Sequence, residues 1–122
     1  MRFFALLFCT VGLLLAQQQE ANFTIRFEPN VILEANAQIP FAIHVTDDRH
    51  KPVQNATVTL QIETPQDTKV QVFKATFTAD GVYIAKPVFP SSGHWKLYVE
   101  VHQGNLMSAR TIEFYVPESA TS

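Results

Sequence analysis

The stretch GHWKLYVEV at residues 93–101 alternates apolar and polar side chains from its third position onward. Alternation with a period of two residues is typical of a β-strand that buries one of its faces. The side chains on the apolar side are Trp95, Leu97, Val99 and Val101. The stretch therefore predicts a strand whose indole ring fills an interior, with Gly93 in the turn that precedes it.

Six further segments have the same strand-like character, and residues typical of turns separate them. After Gln17 the sequence lacks the sustained apolar spacing of three and four residues that indicates a helix. The six segments are residues 23–27, 39–46, 56–62, 69–78, 82–89 and a last one whose clearest part is 112–116. Regular short strands of this kind predict an all-β sandwich or barrel.

Two segments depart from simple alternation. Within residues 69–78 the apolar phase changes between Val72 and Phe73 without a break in the segment. Such a change predicts either a β-bulge or a strand that crosses from one sheet to another. After the break at 28–30, residues 31–33 are expected to resume the first strand along a sheet edge.

The first sixteen residues have the order of a secretory signal peptide. Arg2 provides a positive start, an uncharged apolar run follows, and Ala16 is small enough for a signal peptidase. The run over residues 3–15 has 13 residues, whereas a helix that spans a bilayer needs about 20. We therefore expect a signal peptide helix at 1–16, a sandwich domain at 17–117 and a flexible tail at 118–122.

Export follows from this interpretation, to the periplasm or the extracellular space. An uncleaved signal that tethers the domain to the membrane is the alternative, and no stable insertion is expected after cleavage. The only cysteine, Cys9, lies inside the apolar run. The mature domain would therefore contain no thiol and no disulfide, although export would permit one.

Charge and motifs exclude several function classes. The formal net charge is -2, and the basic residues are dispersed, so nucleic acid is not an expected partner. The sequence contains no G-x-S-x-G turn and no H-E-x-x-H motif, which are two common catalytic signatures. We therefore expect a protein that is not an enzyme.

Two motifs resemble those of a known family. KPVQNATV at 51–58 is similar to a segment of many exported immunoglobulin-like domains. GVYIA at 81–85, Phe89 and GHWKLYV at 93–99 resemble the G-x-Y-x-A…F…G-x-W-x-L-x-V signature of the YtkA-like/FixH group. The resemblance covers residues 38–116. It implies an immunoglobulin-like β-sandwich of about seven antiparallel strands on the outer side of the bacterial cytoplasmic membrane.

Four residues of these motifs have structural roles that physical chemistry explains. Gly81 and Gly93 can adopt the positive φ that tight connections often require. Tyr83 can bury its ring while its hydroxyl reaches a backbone group, as in a tyrosine corner. Trp95 can fill the space between two sheets.

The resemblance also implies copper handling, because YtkA-like domains often carry a methionine-rich stretch with a nearby histidine. The corresponding residues 63–70 contain neither residue type, so no cofactor is expected, and copper is the alternative. The candidate ligands for copper are His94, His102 and Met107. His94 and His102 lie eight residues apart on one predicted strand, a separation of roughly 26 Å, which is too long to share one ion.

A second possible cation site begins at Asp47 and Asp48. Calcium requires six or more oxygen ligands, and the neighbouring sequence offers few, so a solvated turn is expected there. The sequons at Asn22 and Asn55 match the N-glycosylation pattern, and the sequence leaves their use open.

The sequence thus predicts a non-catalytic binding or accessory domain that acts through protein contacts in the bacterial envelope. Edge strands of a sandwich can accept a strand from a partner. A periplasmic copper-delivery protein is the alternative, and an adhesion or carrier-type module, such as a macroglobulin-like one, is a further alternative.

Overall fold

Two β-sheets packed face to face form the fold of residues 19–119, the part of the chain that the computed structural model describes. The predicted signal peptide at 1–16 and the last residues of the predicted tail, 120–122, lie outside it. In chain order the strands are β1 (Gln19–Glu20), β2 (Thr24–Pro29), β3 (Phe41–Thr46), β4 (Thr57–Thr64), β5 (Asp67–Lys74), β6 (Thr76–Ala79), β7 (Val82–Ala85), β8 (Gly93–Gln103) and β9 (Leu106–Val116). The prediction of an all-β sandwich is confirmed.

One sheet has five strands in the order β1-β9-β8-β4-β5, and the other has four in the order β2-β3-β7-β6. Every neighbouring pair is antiparallel except β1 and β9, which run parallel. The described residues contain nine strands where about seven were expected. The two additions are the short β1 and the division of the predicted segment 69–78 into β5 and β6.

That division confirms the strand crossing suggested by the change of apolar phase. β5 belongs to the five-stranded sheet and β6 to the four-stranded one. Ala75 lies between them, is buried, and donates its backbone N–H to the Val58 carbonyl at 2.8 Å. The bond holds the chain against β4 at the point where it leaves one sheet for the other.

A second crossing closes the opposite side of the sandwich, between β1 and β2. The Ser108 hydroxyl donates to the Ala21 carbonyl at 2.7 Å and accepts from the Phe23 amide at 3.4 Å. Nearby, Arg110 on β9 donates to the Ile25 carbonyl on β2 at 2.6 Å. Side chains of the five-stranded sheet therefore hold the first strand of the other sheet.

The interior contains the residues that the alternation of β8 predicts. Trp95 is buried, and its ring lies edge-on to Phe89 with centroids 5.4 Å apart. Its indole N–H donates to the Ser91 carbonyl at 2.8 Å, so burial leaves no polar atom of the ring unsatisfied. Leu97 and Val99 are buried farther along the same strand.

Residues 31–33 do not resume the first strand, and that prediction was wrong. The Asn30 amide donates to the Pro40 carbonyl at 2.8 Å, which closes the base of a loop. Ile32 projects from this loop with 88% of its surface exposed. Apolar residues alone predict a strand here, but the chain forms a loop that directs Ile32 into solvent.

Tyr83 joins the two sheets at one end of the sandwich. The tyrosine is 1% exposed, and its hydroxyl donates to the Val53 carbonyl at 2.8 Å and accepts from the Ala56 amide at 3.1 Å. Between these two partners, Asn55 adopts a φ of 58°. The connection from β3 to β4 thus turns around the hydroxyl, which reaches the backbone as expected, at partners 27 and 30 residues away in sequence.

Both signature glycines adopt positive φ, as predicted, with values of 75° at Gly81 and 123° at Gly93. At Gly81 space is also limiting. A Cβ placed there would lie 2.7 Å from the Val45 carbonyl oxygen and 2.9 Å from the Pro52 side chain. Because a Cβ would clash with both groups, only glycine allows the start of β7 to lie this close to Val45 and Pro52.

Tyr83→Phe is expected to lower the free energy of unfolding by about 1–3 kcal/mol, because the Val53 carbonyl and the Ala56 amide lose their common partner. Urea unfolding of the purified domain measures this change as a lower midpoint at an unchanged slope. Tyr115→Phe is the matched control, since Tyr115 is 60% exposed. Equal midpoints for the two variants would contradict a structural role for the Tyr83 hydroxyl.

Candidate functional site

The outer face of the five-stranded sheet carries a hydrogen-bonded network along β8. Tyr98, Glu100 and His102 are alternate residues of this strand and are half-buried. The Tyr98 hydroxyl donates to Glu100 Oε2 at 2.8 Å, and Glu100 Oε1 shares a hydrogen bond with His102 Nε2. One carboxylate therefore links an aromatic hydroxyl to an imidazole.

The network changes the pKa of two of its members. The hydrogen bond from His102, followed by that from Tyr98, lowers the pKa of Glu100 below its ordinary value of 4.5. The hydrogen bond to Glu100 and the partial burial of the phenol raise the pKa of Tyr98 above 10.0. Both shifts favour the form in which a charged carboxylate accepts two hydrogen bonds.

His102 and Met107, two of the candidate ligands for the copper alternative, lie opposite each other in the pairing of β8 with β9. Directly paired residues point to the same face with Cβ atoms about 5 Å apart. The turn at Gly104-Asn105 fixes this register, because Gln103 pairs with Leu106 across two residues. Because a two-residue turn at Gly104-Asn105 pairs the residues on either side of it, the sequence alone could have predicted that His102 lies opposite Met107.

His94, the third candidate, is separate from this pair. It lies near the other end of β8, opposite Tyr115, and the two rings meet edge to face with centroids 5.3 Å apart. His94 and His102 belong to one strand, as the sequence analysis proposed. Within residues 19–119 no group of three or more His, Cys, Asp or Glu side chains could hold a metal ion.

Asp47 closes a turn. Its Oδ1 accepts the backbone amides of Arg49 at 2.8 Å and Lys51 at 2.9 Å. These two hydrogen bonds lower the pKa of Asp47. The arrangement agrees with the expected solvated turn, since one carboxylate oxygen is already engaged by the backbone.

A cleft of about 650 Å³ opens beside this turn, at the end of the sandwich that holds the β8–β9 hairpin. Most of its lining is polar. The lining residues include Glu20, Asn22, Asp48, Asn55, Gln103 and Leu106. Both sequon asparagines are exposed and line this cleft.

A different surface, which the sequence analysis did not single out, lies along β5. This strand ends the five-stranded sheet and has a hydrogen-bonded neighbour, β4, on one side only. Val70 is 49% exposed and Val72 is 58% exposed. The signal for this surface was present in the sequence, because Val70 and Val72 have the opposite phase to Phe73 and only one phase can face the core.

Beside β5 lies a groove of about 590 Å³ that extends to the four-stranded sheet. Three apolar side chains, two threonines and two lysines line it. They are Val72, Phe73, Lys74, Thr76, Thr78, Ile84 and Lys86. We refer to β5 together with this groove as the β5 surface.

Two packed sheets, a buried tryptophan and a tyrosine that bonds the backbone leading into the other sheet define a β-sandwich domain. The chain belongs to the YtkA-like family, whose profile matches residues 15–100. This match starts before the region of resemblance at 38–116 and ends within it. No curated protein matches the chain. Among residues 19–119, no helix has the length and apolar character needed to cross a membrane.

Glu100→Gln is expected to reduce stability above pH 4.5, and the difference from the unchanged chain should shrink as the pH falls below that value. Because the folded-state pKa of Glu100 is lowered, the unfolded chain binds more protons in this range. The contribution of Glu100 is therefore complete above the unfolded pKa and is lost as the pH falls through the folded one.

Unfolding free energies measured by urea titration at several pH values test this expectation. Glu113→Gln removes one negative charge from the adjacent strand on the same face and is the control. A gap between Glu100→Gln and the unchanged chain that stays constant down to strongly acidic pH would refute the assignment.

Proposed function

We propose that this protein is a non-catalytic binding domain that acts through protein contacts on the outer side of the bacterial cytoplasmic membrane. In this proposal the signal peptide directs export, and the sandwich then serves as an accessory module in the envelope. The proposal is consistent with membership in the YtkA-like family.

The observation that carries the proposal is the exposure of Val70 and Val72 on a sheet edge. Proteins usually blunt or cover such edges, because unpaired backbone groups beside apolar side chains invite pairing with another chain. Apolar residues gathered on an open edge therefore favour a surface that a partner covers.

Photo-crosslinking in living cells tests this function. The full chain, with its own N-terminal segment, is expressed in its bacterium with a photoreactive residue at Val72, Tyr98 or Arg49. Val72 and Tyr98 represent the β5 surface and the outer face, and Arg49 is an exposed turn residue that serves as control.

We expect discrete adducts to an envelope protein from Val72 and none from Arg49, in a fraction outside the cytoplasm. Absence of protein adducts from all three positions would contradict the proposal. Adducts to extracellular matrix or host proteins would instead favour the adhesion or carrier-type alternative.

Copper delivery is the second candidate, and the pairing of His102 with Met107 favours it. A thioether and an imidazole on one face are soft donors of the kind that Cu(I) prefers. Glu100 already engages His102 Nε2, so copper would use Nδ1 or displace the carboxylate. The ion would be a cargo held by few ligands.

Titration of the purified mature domain with Cu(I) and Cu(II) tests the second candidate. Copper delivery predicts sub-micromolar binding that Met107→Leu and His102→Ala each weaken and that His94→Ala leaves unchanged. No sub-micromolar binding of either ion would exclude it. Binding lost only in His94→Ala would place the copper elsewhere.

A further inference from the structure

The β5 surface differs in charge from the rest of the molecule. The chain as a whole has a net charge of -2. On β5 itself two lysines, Lys69 and Lys74, outnumber the one acidic residue, Asp67. The groove adds Lys86, and no carboxylate is among its lining residues. A positive, partly apolar surface therefore lies on an acidic protein.

The positive charges of the lysines also influence which kind of strand can pair with β5. Lysines on an edge strand are a common device against pairing with identical edges. If two copies of this chain paired through β5, each would place the same pair of lysines beside the other's. Like charges brought together across strands are destabilising, so a second copy is a poor occupant.

A partner with acidic side chains removes this penalty. Carboxylates near Lys74 and Lys86 would be attracted, and apolar side chains could cover Val72 and Phe73. In an added strand, successive side chains point to opposite faces. Val72 and Lys74 share one face of β5, so a strand that carries an apolar and an acidic residue two positions apart can supply both kinds of contact on that face.

We propose that β5 is extended by a strand from a protein partner, and that this strand carries acidic residues two positions away from apolar ones, on the same face. Backbone hydrogen bonds to the open edge of β5 supply affinity, while Val72, Lys74 and Lys86 select the sequence, as in other strand-addition complexes. The proposal rests on the protein-binding function proposed above and specifies the mode of binding and the chemistry of the partner.

Selection from a displayed library of random linear peptides tests the proposal. The immobilised target is the mature chain purified after export. The expected peptides contain acidic residues two positions away from apolar ones. Their binding should weaken roughly tenfold or more, about 1.4 kcal/mol, with Val72→Lys or with Lys74→Glu combined with Lys86→Glu. Tyr115→Lys, an exposed change outside the β5 surface, should leave binding unchanged.

Two additional measurements separate strand addition from simple charge attraction. A selected peptide resynthesised with alternate backbone amides methylated should lose binding, since methylation removes the donors that pair with β5. Selection against the Lys74→Glu, Lys86→Glu variant should yield basic peptides. Unfolding midpoints equal to that of the unchanged chain confirm that each variant is folded.

Several results would overturn the proposal. These are an absence of selected peptides, a selection without acidic residues, equal binding by Val72→Lys, and equal binding of the methylated peptide. Sedimentation that shows a dimer dissociated by Val72→Lys would make a second copy the occupant. Adducts from Tyr98 but not Val72 in the crosslinking experiment would keep the binding function and move the site elsewhere.

Discussion

The two hydrogen bonds of the Tyr83 hydroxyl are the constraint on which one end of this molecule depends. The tyrosine belongs to β7 in the four-stranded sheet, while Ala56 leads directly into β4 of the five-stranded sheet. One phenol therefore sets how the sheets meet. It also satisfies the Val53 carbonyl and the Ala56 amide, whose loss of a partner would together cost about 1–3 kcal/mol.

The same bonds shape the surfaces around them. The turn that closes on Tyr83 places Gln54 and Asn55 at the surface, where both residues line the end cleft. The Gln54 carbonyl then accepts the side-chain amide of Gln103, at 2.6 Å, next to the β8–β9 turn. The hairpin that pairs His102 with Met107 is thus attached, through the Gln103 side chain, to the turn that surrounds the Tyr83 hydroxyl.

Sequence reasoning predicted the elements whose signals are local. Alternation located Trp95 in the core, and the change of phase after Val72 indicated the crossing at Ala75. The sequence also predicted that the Tyr83 hydroxyl would bond a backbone group. The two partners, however, lie 30 and 27 residues earlier in the chain. No local pattern specifies a contact at that separation.

The order of strands within each sheet was the other property that the sequence could not predict. The outward phase of Val70 and Val72 is visible in the sequence, but the open edge beside them follows from the position of β5 at the end of its sheet, and edge position depends on every other pairing. The parallel β1 was missed for a similar reason, because two residues carry too little pattern to show alternation. The His102–Met107 pair is different, since turn length alone determines it.

The crossing at Ala75 also explains why an open apolar edge persists on this protein. To pass from one sheet to the other, the chain must change which of its faces points inward, and Phe73 and Ala75 take the inward positions. Val70 and Val72, in the opposite phase, are then left on the outer side of an edge strand. Lys69 and Lys74 flank them and oppose pairing with a like-charged strand. The sequence that closes the sandwich therefore leaves an edge whose lysines favour an acidic strand over a basic one.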